Sequence, residues 1–581
     1  MIRRCLLPLL LLGLALAAMA PALAQDRAEP EGATGLAAKP LLRAKRHISV
    51  AAHPLAARTG NRILRQGGSA VDAAIAVQLV LNLVEPQSSG IGGGAFLLHW
   101  DAKSRSLRSY DGRETAPRAA RPDRFLSPSG EPMPFRQARA SARAIGVPGL
   151  VAMLALAHKA HGRLPWAALF EPAIRLAEDG FPVGRRLNRL LARAGPDRFN
   201  AAGRRYFFDA AGKPWPVGHR LRNPAFAATL RAIAQQGASA FYEGAIARAV
   251  VEAVNGAPGS AQDMTLADLA AYRARQRPPV CAPYRSNIVC GMGPPSSGGL
   301  AVAQILMLLE GFDLGEGPLN ADALHLIAEA QKLAYADRAR YVADSDFIRV
   351  PAGLLDPAYI AKRRRLIGPR AIPKAPAGRP PGLRRAPNGG DATRERPGTS
   401  HVSIIDARGN AVAMTTTIES AFGSGIMVAG FLLNNELTDF SFRPLDRRGR
   451  PVANRVEGGK RPRSSMAPTI VFDHNGAVKA VLGSPGGSRI ILYVTKALIG
   501  VLDWRLDASR AAALANFGSR NRGVFELETG PHVAALAPKL RAKGHSLRIG
   551  PMTSGAHIIL RRAGWLEGGA DPRREGAAFG D

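Results

Sequence analysis

Cysteine, lysine and aromatic side chains are all scarce in this sequence. Three cysteines in 581 residues exclude a disulfide-rich scaffold and a four-thiolate zinc module. Aromatics are 6% of the chain, and it has no RNP-like aromatic motif, zinc-finger spacing or basic-region heptad. The common nucleic-acid readers are therefore missing. That matters because 78 Lys+Arg against 45 Asp+Glu give a formal net charge of +33, which by itself suggests a polyanionic partner. Only 13 of the 78 are lysine, leaving 65 arginines, and these are scattered along the whole length. Scattered arginine makes a soluble basic surface, and no nucleic-acid partner is expected.

Also lacking are a P-loop Gly-Lys-Ser/Thr, a G-x-G-x-x-G that opens a helix, and any G-x-S-x-G elbow. Phosphate cradles, dinucleotide sites and the serine-hydrolase arrangement lose their sequence support. His158 and His161 stand three apart on a helical stretch but have no third ligand near them in sequence, so a solvated face is expected there. No metal site and no cofactor are expected anywhere.

There is one long apolar run, from Cys5 to about Ala20, preceded by Arg3 and Arg4 and followed by Ala22-Leu23-Ala24 before Gln25. This is the pattern of a cleavable secretory leader over residues 1–24, and the run is short and carries Pro8, which argues against a retained anchor. The expected mature chain is periplasmic or secreted and has no membrane span. In an oxidising compartment Cys281 and Cys290, flanking the turn-like Ala-Pro-Tyr-Arg-Ser-Asn, either form a disulfide across two strands or remain two buried thiols.

What the chain has is 46% hydrophobic residues and 62 glycines, enough for two or more domains or one large layered domain. Gly67-Gly68-Ser69 opens a nearly all-apolar helix buried on both sides, and a second helix is expected over Asp322 to Val342. The stretch 367–398 is rich in Pro, Gly, Arg and Ala and is expected to be a mobile linker. It ends on a strand–turn–strand pattern, His401–Ile405 and Ala411–Ile418 about Asp406–Asn410.

At that junction stands Gly398-Thr399-Ser400-His401. Downstream follow Asn434-Asn435-Glu436-Leu437-Thr438-Asp439-Phe440, Lys460-Arg461-Pro462-Arg463-Ser464-Ser465-Met466-Ala467-Pro468-Thr469 and Gly483-Ser484-Pro485-Gly486-Gly487-Ser488-Arg489-Ile490. Upstream stand Gly67–Ala74, Asp111–Glu114 and Pro294–Gly299. In this order and spacing the motifs resemble those of the γ-glutamyltransferase family, of the N-terminal-nucleophile hydrolase superfamily, over about Val50 to Arg573.

The resemblance implies an α+β fold, a four-layer αββα sandwich, made as a precursor that cuts itself between Gly398 and Thr399. Residues 25–398 would form a large subunit ending in the linker 367–398, and residues 399–581 a small one. The cut would unmask an amine titrating near 8, low enough to deprotonate the Thr399 hydroxyl. Thr399 would then attack a γ-glutamyl amide such as glutathione, and water or an amine would resolve the ester. The resemblance assigns oxyanion stabilisation to Gly486 and Gly487, a hydrogen bond near the nucleophile's amine to Thr417, the donor carboxylate to Arg113, Ser464 and Ser465, and the donor ammonium to Glu436 and Asp439. Glu419 stands where several family members have Asn and adds a third acid, and the lid position 442–459 is Arg-rich without a tyrosine. Two other readings remain: a glutaryl-cephalosporin-type acylase on the same scaffold, whose substrate lacks the α-amine, and a non-catalytic basic exported binding protein.

Overall fold

The computed structural model describes residues 36–383, 388–393, 395 and 398–581. The expected leader over 1–24 lies outside them.

The helix Ala70–Val84 begins where Ser69 accepts from the Asp72 N–H while Asp72 accepts from the Ser69 N–H, a reciprocal cap. Apart from Asp72, Gln78 and Asn82 it is Ala, Val, Leu and Ile, and every residue is buried, as its largely apolar composition requires. The expected second helix forms as Ala321–Tyr341.

The strands Thr399–Ile405 and Ala411–Thr417 form an antiparallel hairpin, with Thr399 opposite Thr417. Its turn is closed by Asp406, whose carboxylate accepts from the N–H groups of Arg408 and Asn410 at 2.9 and 3.0 Å. This hairpin is the middle of a seven-stranded sheet ordered Ala577–Gly580, Ile48–Ala51, Thr399–Ile405, Ala411–Thr417, Gly94–Asp101, Ser106–Asp111, Arg275–Arg277. A second seven-stranded sheet runs Leu42–Ala44, Trp565–Ala570, His557–Arg562, Val478–Gly483, Thr469–Phe472, Asn287–Gly291, Val280–Tyr284. Every neighbouring pair in both sheets is antiparallel.

Strand alternation divides the apolar residues among three cores. Val402, Ile404, Val412 and Met414 face Ala70–Val84 and its neighbouring helices. Ile405, Ala411 and Ala413 face Ile470, Val481 and Ile559 of the second sheet. Val471, Leu482 and Ile558 face Gly298–Leu309 and Ile490–Leu502. Helix, sheet, sheet and helix thus stack in four layers, the αββα arrangement expected above.

Cys281 and Cys290 face each other in the hairpin Val280–Tyr284/Asn287–Gly291 and are joined as a disulfide. Two other expectations are corrected. The described part of the Pro/Gly/Arg-rich stretch is anchored rather than loose, because buried acids on Ala321–Tyr341 hold its backbone. Glu329 accepts from Ile372 N at 2.9 Å and Asp337 from Gly378 N at 2.8 Å. A Cβ on Gly378 would lie 2.2 Å from the Tyr359 hydroxyl, so the close approach needs glycine. His158 and His161 do not form a solvated face: His158 bonds the Leu164 carbonyl, and His161 bonds the Tyr110 hydroxyl at 2.7 Å and stacks on His99.

Replacing both Cys281 and Cys290 by serine should lower stability by about 2–3 kcal/mol, the chain-entropy value for so short a loop, without altering the fold. A chemical-denaturation midpoint of the variant against the oxidised parent measures it.

Candidate active site

Thr399 occupies the first position of a central strand, and both the residue before it and the residue across from it are constrained. An added Cβ on Gly398 would meet the Glu419 carbonyl oxygen at 1.8 Å, so only glycine fits. That carbonyl is placed by Glu419 itself, which holds a left-handed φ of +73°, a conformation costly for a non-glycine residue. In this uncut chain Thr417 Oγ1 donates to the Gly398 carbonyl at 2.5 Å and accepts from Glu419 N at 2.8 Å. Arg574 Nη1 fixes the Thr399 carbonyl at 3.2 Å, and Ser400 is tied to the buried Glu85.

Thr399, Thr417, Arg113, Glu419, Glu436, Asp439, Ser464, Ser465 and Gly487 line one cavity, together with Glu395, Met466 and Ile490. Gly486 is not part of that lining. It precedes Gly487 at the turn into helix Ile490–Leu502, and both glycines have positive φ, +140° and +54°. A Cβ on Gly486 would lie 2.6 Å from the Tyr493 ring. The turn places the positive end of a helix on the cavity that Thr399 also lines, an arrangement suited to binding negative charge.

The electrostatics centre on Arg113, which is fully buried. Its Nη1 pairs with Glu436, its Nη2 with Asp439 at 2.7 Å, and its remaining N–H groups reach the Pro462 and Arg463 carbonyls. The residues expected on two sides of the pocket are thus joined. In the uncut chain Arg113 lies with the acids, while Ser465 Oγ donates to Glu395 and accepts from Arg338 Nη2 at 2.7 Å. Ser464 Oγ accepts from Met466 N.

Burial opposes the Arg113 charge, but Glu436, Asp439 and Glu114 hold its pKa above the ordinary arginine value. Three carboxyl groups share that one guanidinium. Burial, the largest influence, pushes Glu114 up to about 7, Asp439 up to about 8 and Glu436 well above the carboxylate range. Like charges at this separation cannot all ionise, so the cluster retains at least one proton near neutral pH. Consistently, one oxygen each of Glu436 and Asp439 has no hydrogen-bond donor among the described residues.

His401, beside the nucleophile in sequence, points away into the sheet interior. It bonds Thr415 Oγ1 at 2.8 Å and Ser403 Oγ at 3.1 Å, and burial next to His557 keeps it neutral. The structure also gathers three ligand-type side chains that the sequence did not suggest, His325, Glu329 and His545. They are engaged with protein: His325 bonds His545 and the Gly368 carbonyl, and Glu329 takes Lys332 and Ile372 N. Sequence reasoning also missed Glu395, Arg338, Arg463 and Glu114. Glu395 lay hidden in a segment of linker composition, whereas Glu114 adjoins Arg113 and could have been found as a second acid in that motif.

Gly398→Ala should leave the chain uncut, because the added methyl displaces the Glu419 carbonyl and moves the scissile bond off Thr399. Denaturing electrophoresis should show one full-length band where the parent gives two.

Among the described residues no helix is long and apolar enough to cross a membrane. The family model for gamma-glutamyltranspeptidase matches residues 56–581. The chain is similar to a glutathione hydrolase proenzyme of Bacillus subtilis (strain 168), with 36% identity over 545 residues covering 91% of this chain and 90% of the relative. It is 37% identical over 549 residues to a glutathione hydrolase proenzyme of Escherichia coli (strain K12), covering 92% and 91%. Among solved structures, a cephalosporin acylase from Bacillus halodurans matches with a TM-score of 0.81 at 26% identity, covering 94% of this chain and 98% of that one.

Proposed function

The chain belongs to the gamma-glutamyltranspeptidase family, and from that premise we propose that it is a self-cleaving γ-glutamyl acyltransferase whose nucleophile is Thr399. The observation that carries the reading is the pairing of a hydroxyl at the head of a buried strand with an acid-rich pocket built around Arg113.

The first reaction is on the chain itself. Thr399 Oγ1 adds to the Gly398 carbonyl carbon, whose oxygen already accepts from Thr417 Oγ1. The C–N bond breaks, the nitrogen leaves as the Thr399 amine, and the resulting ester takes up water. A Gly398 carboxylate and a free hydroxyl remain. By share of 61.4 kDa the fragments 25–398 and 399–581 are roughly 40 and roughly 19 kDa.

In the second reaction the new amine is the base. It takes the Oγ1 proton as oxygen attacks the γ-carbonyl of the donor, and passes it to the departing amine. Backbone donors of Gly486 and Gly487 at the helix end stabilise the oxyanion, an effect of about 3–4 kcal/mol per donor. Water or an amine of an amino acid or peptide then resolves the ester, so glutathione is a fitting donor. The donor ammonium would lie against Glu419, Glu436 and Asp439, and its carboxylate would take Arg113, Ser464 and Ser465.

A cephalosporin-acylase reading of the same scaffold draws on the whole-chain likeness. A glutaryl group carries no ammonium, however, and would give these acids no partner. The disulfide Cys281–Cys290 accords with an oxidising compartment, which supports reading residues 1–24 as an export leader and the protein as periplasmic or secreted.

Thr399→Ala should abolish both the cut and turnover of γ-glutamyl amides, read by electrophoresis and amine release; turnover by the uncut variant would overturn the mechanism. Asp439→Asn should raise the donor KM about 10- to 100-fold, the loss of one charge-assisted contact, with a smaller change in kcat. Because burial pushes the Asp439 carboxyl up to about 8, it is protonated below that pH and gains the charge that attracts an ammonium above it. Donor KM should therefore fall as pH rises through about 8, and the Asn variant should lose that limb while keeping the kcat limb of the Thr399 amine.

A further inference from the structure

Between strands Trp565–Ala570 and Ala577–Gly580 the chain passes from the second sheet to the nucleophile's sheet. The turn is pinned by the buried Asp571, which accepts from Ser554 Oγ, from Ala556 N at 3.2 Å and from Arg573 N at 3.0 Å. Arg574 follows and is itself buried. Its Nε donates to the Ser554 carbonyl at 3.1 Å and its Nη1 to the Thr399 carbonyl at 3.2 Å. A Cβ on Gly555 would lie 2.8 Å from Arg574 Cδ and 2.7 Å from Pro485 Cγ, so glycine leaves room for the arginine stem to pass. A guanidinium charge is thereby fixed on the carbonyl of the residue whose amine the cut would release.

That amine has to be uncharged to accept the hydroxyl proton. The cavity works against this, because Glu395, Glu419, Glu436 and Asp439 line it together with Thr399, and Arg113 is the cation among them. Acids beside an amine favour its charged form. Outside the cavity lining, Glu85 accepts from Ser400 Oγ at 2.7 Å and pairs with Arg186 at 3.2 Å. Burial raises the Glu85 carboxyl, and Arg186 and then Arg574 pull against it. Glu575 turns away to the helix Arg185–Ala194, where its Oε1 accepts from Arg186 N at 3.1 Å, and burial keeps His557 neutral. Arg574 is the cation bonded to Thr399 itself. The amine nitrogen and carbonyl oxygen of one residue are three bonds apart, which puts the guanidinium within about 6 Å of the amine. At an effective dielectric constant of about 20, a unit charge at that distance weakens proton binding by about 100-fold.

We propose that Arg574 is a positioning residue for the acyl transfer: it holds the Thr399 backbone by its carbonyl, and its charge keeps the released amine in the free-base form against the acids of the cavity. The proposal rests on the self-cleaving, acyl-transferring reading above and adds to it the group that sets the strength of its base. The cut itself precedes the amine and does not need this effect.

The experiment compares the full-length parent with Arg574→Gln, Arg574→Met and Arg574→Lys. The Thr399 amine is titrated directly, as the pH dependence of its acetylation by limiting acetic anhydride, quantified by mass spectrometry on the small-subunit N-terminal peptide. In parallel, kcat for a γ-glutamyl anilide is measured across pH. The two neutral variants should show the labelling midpoint and the acid limb of kcat both moved up by about 1 to 2 pH units. Their kcat should fall about tenfold or more at pH 7 and recover at alkaline pH, while the Lys variant stays near the parent. Two neutral replacements cover the case in which one does not fold, which thermal melting reports. Neutral variants that are cut but label with the parent's midpoint overturn the proposal, as does a loss of kcat that is uniform across pH. A neutral variant that melts like the parent yet stays uncut also overturns it, since the carbonyl contact then serves the cut. A parent that stays uncut brings down the proposal and the processing reading together. If the labelling midpoints move as expected but no γ-glutamyl anilide is turned over, the role of Arg574 stands and the γ-glutamyl reading falls.

Discussion

The position of Thr399 is dictated by its strand. A short hydroxyl side chain has little reach, so reactivity at that oxygen depends on a backbone that does not move. Pairing of Thr399–Ile405 with Ala411–Thr417 along its whole length, with Ile48–Ala51 on its other edge, and burial of both faces supply that rigidity. The glycine at 398, the left-handed Glu419 and the Thr417 hydroxyl are all adjustments around a strand end that cannot give way.

Charge is arranged with the same economy. The groups around Thr399 are buried, and each ion among them needs a partner. In the uncut chain Arg113 serves the acids and Glu395 serves the arginines, so the interior is close to neutral in two separate clusters. These pairings also explain how so many titratable groups coexist beside one hydroxyl in a buried site.

Much of this was legible in the sequence because it is written in contiguous patterns. The buried helix Ala70–Val84, the Asp406–Asn410 hairpin and the facing cysteines each follow from local composition and turn chemistry. The nine expected residues that meet in the cavity come from segments far apart in the chain, and only the shared motif order with a known family joined them beforehand. What stayed hidden was pairwise. Nothing local tells that Arg113 lies with Glu436 and Asp439, or that Glu395, in a stretch of linker composition, reaches two arginines from a helix and a distant loop. Composition likewise misjudged residues 367–383, since buried acids on Ala321–Tyr341 can hold a Pro- and Gly-rich backbone that has no core of its own.

The strand order of the nucleophile's sheet has a consequence for the life of the protein after processing. Strands from before and after residue 398 are interleaved: Ala577–Gly580, then Ile48–Ala51, then the two central strands, then Gly94–Asp101. Folding of the precursor joins them as a single chain, in a unimolecular event. Once the bond is broken, the same ladder can be rebuilt only by two chains that must first find each other. The proposed cut would thereby give a fold whose recovery depends on concentration, and whose persistence is set by how slowly it opens.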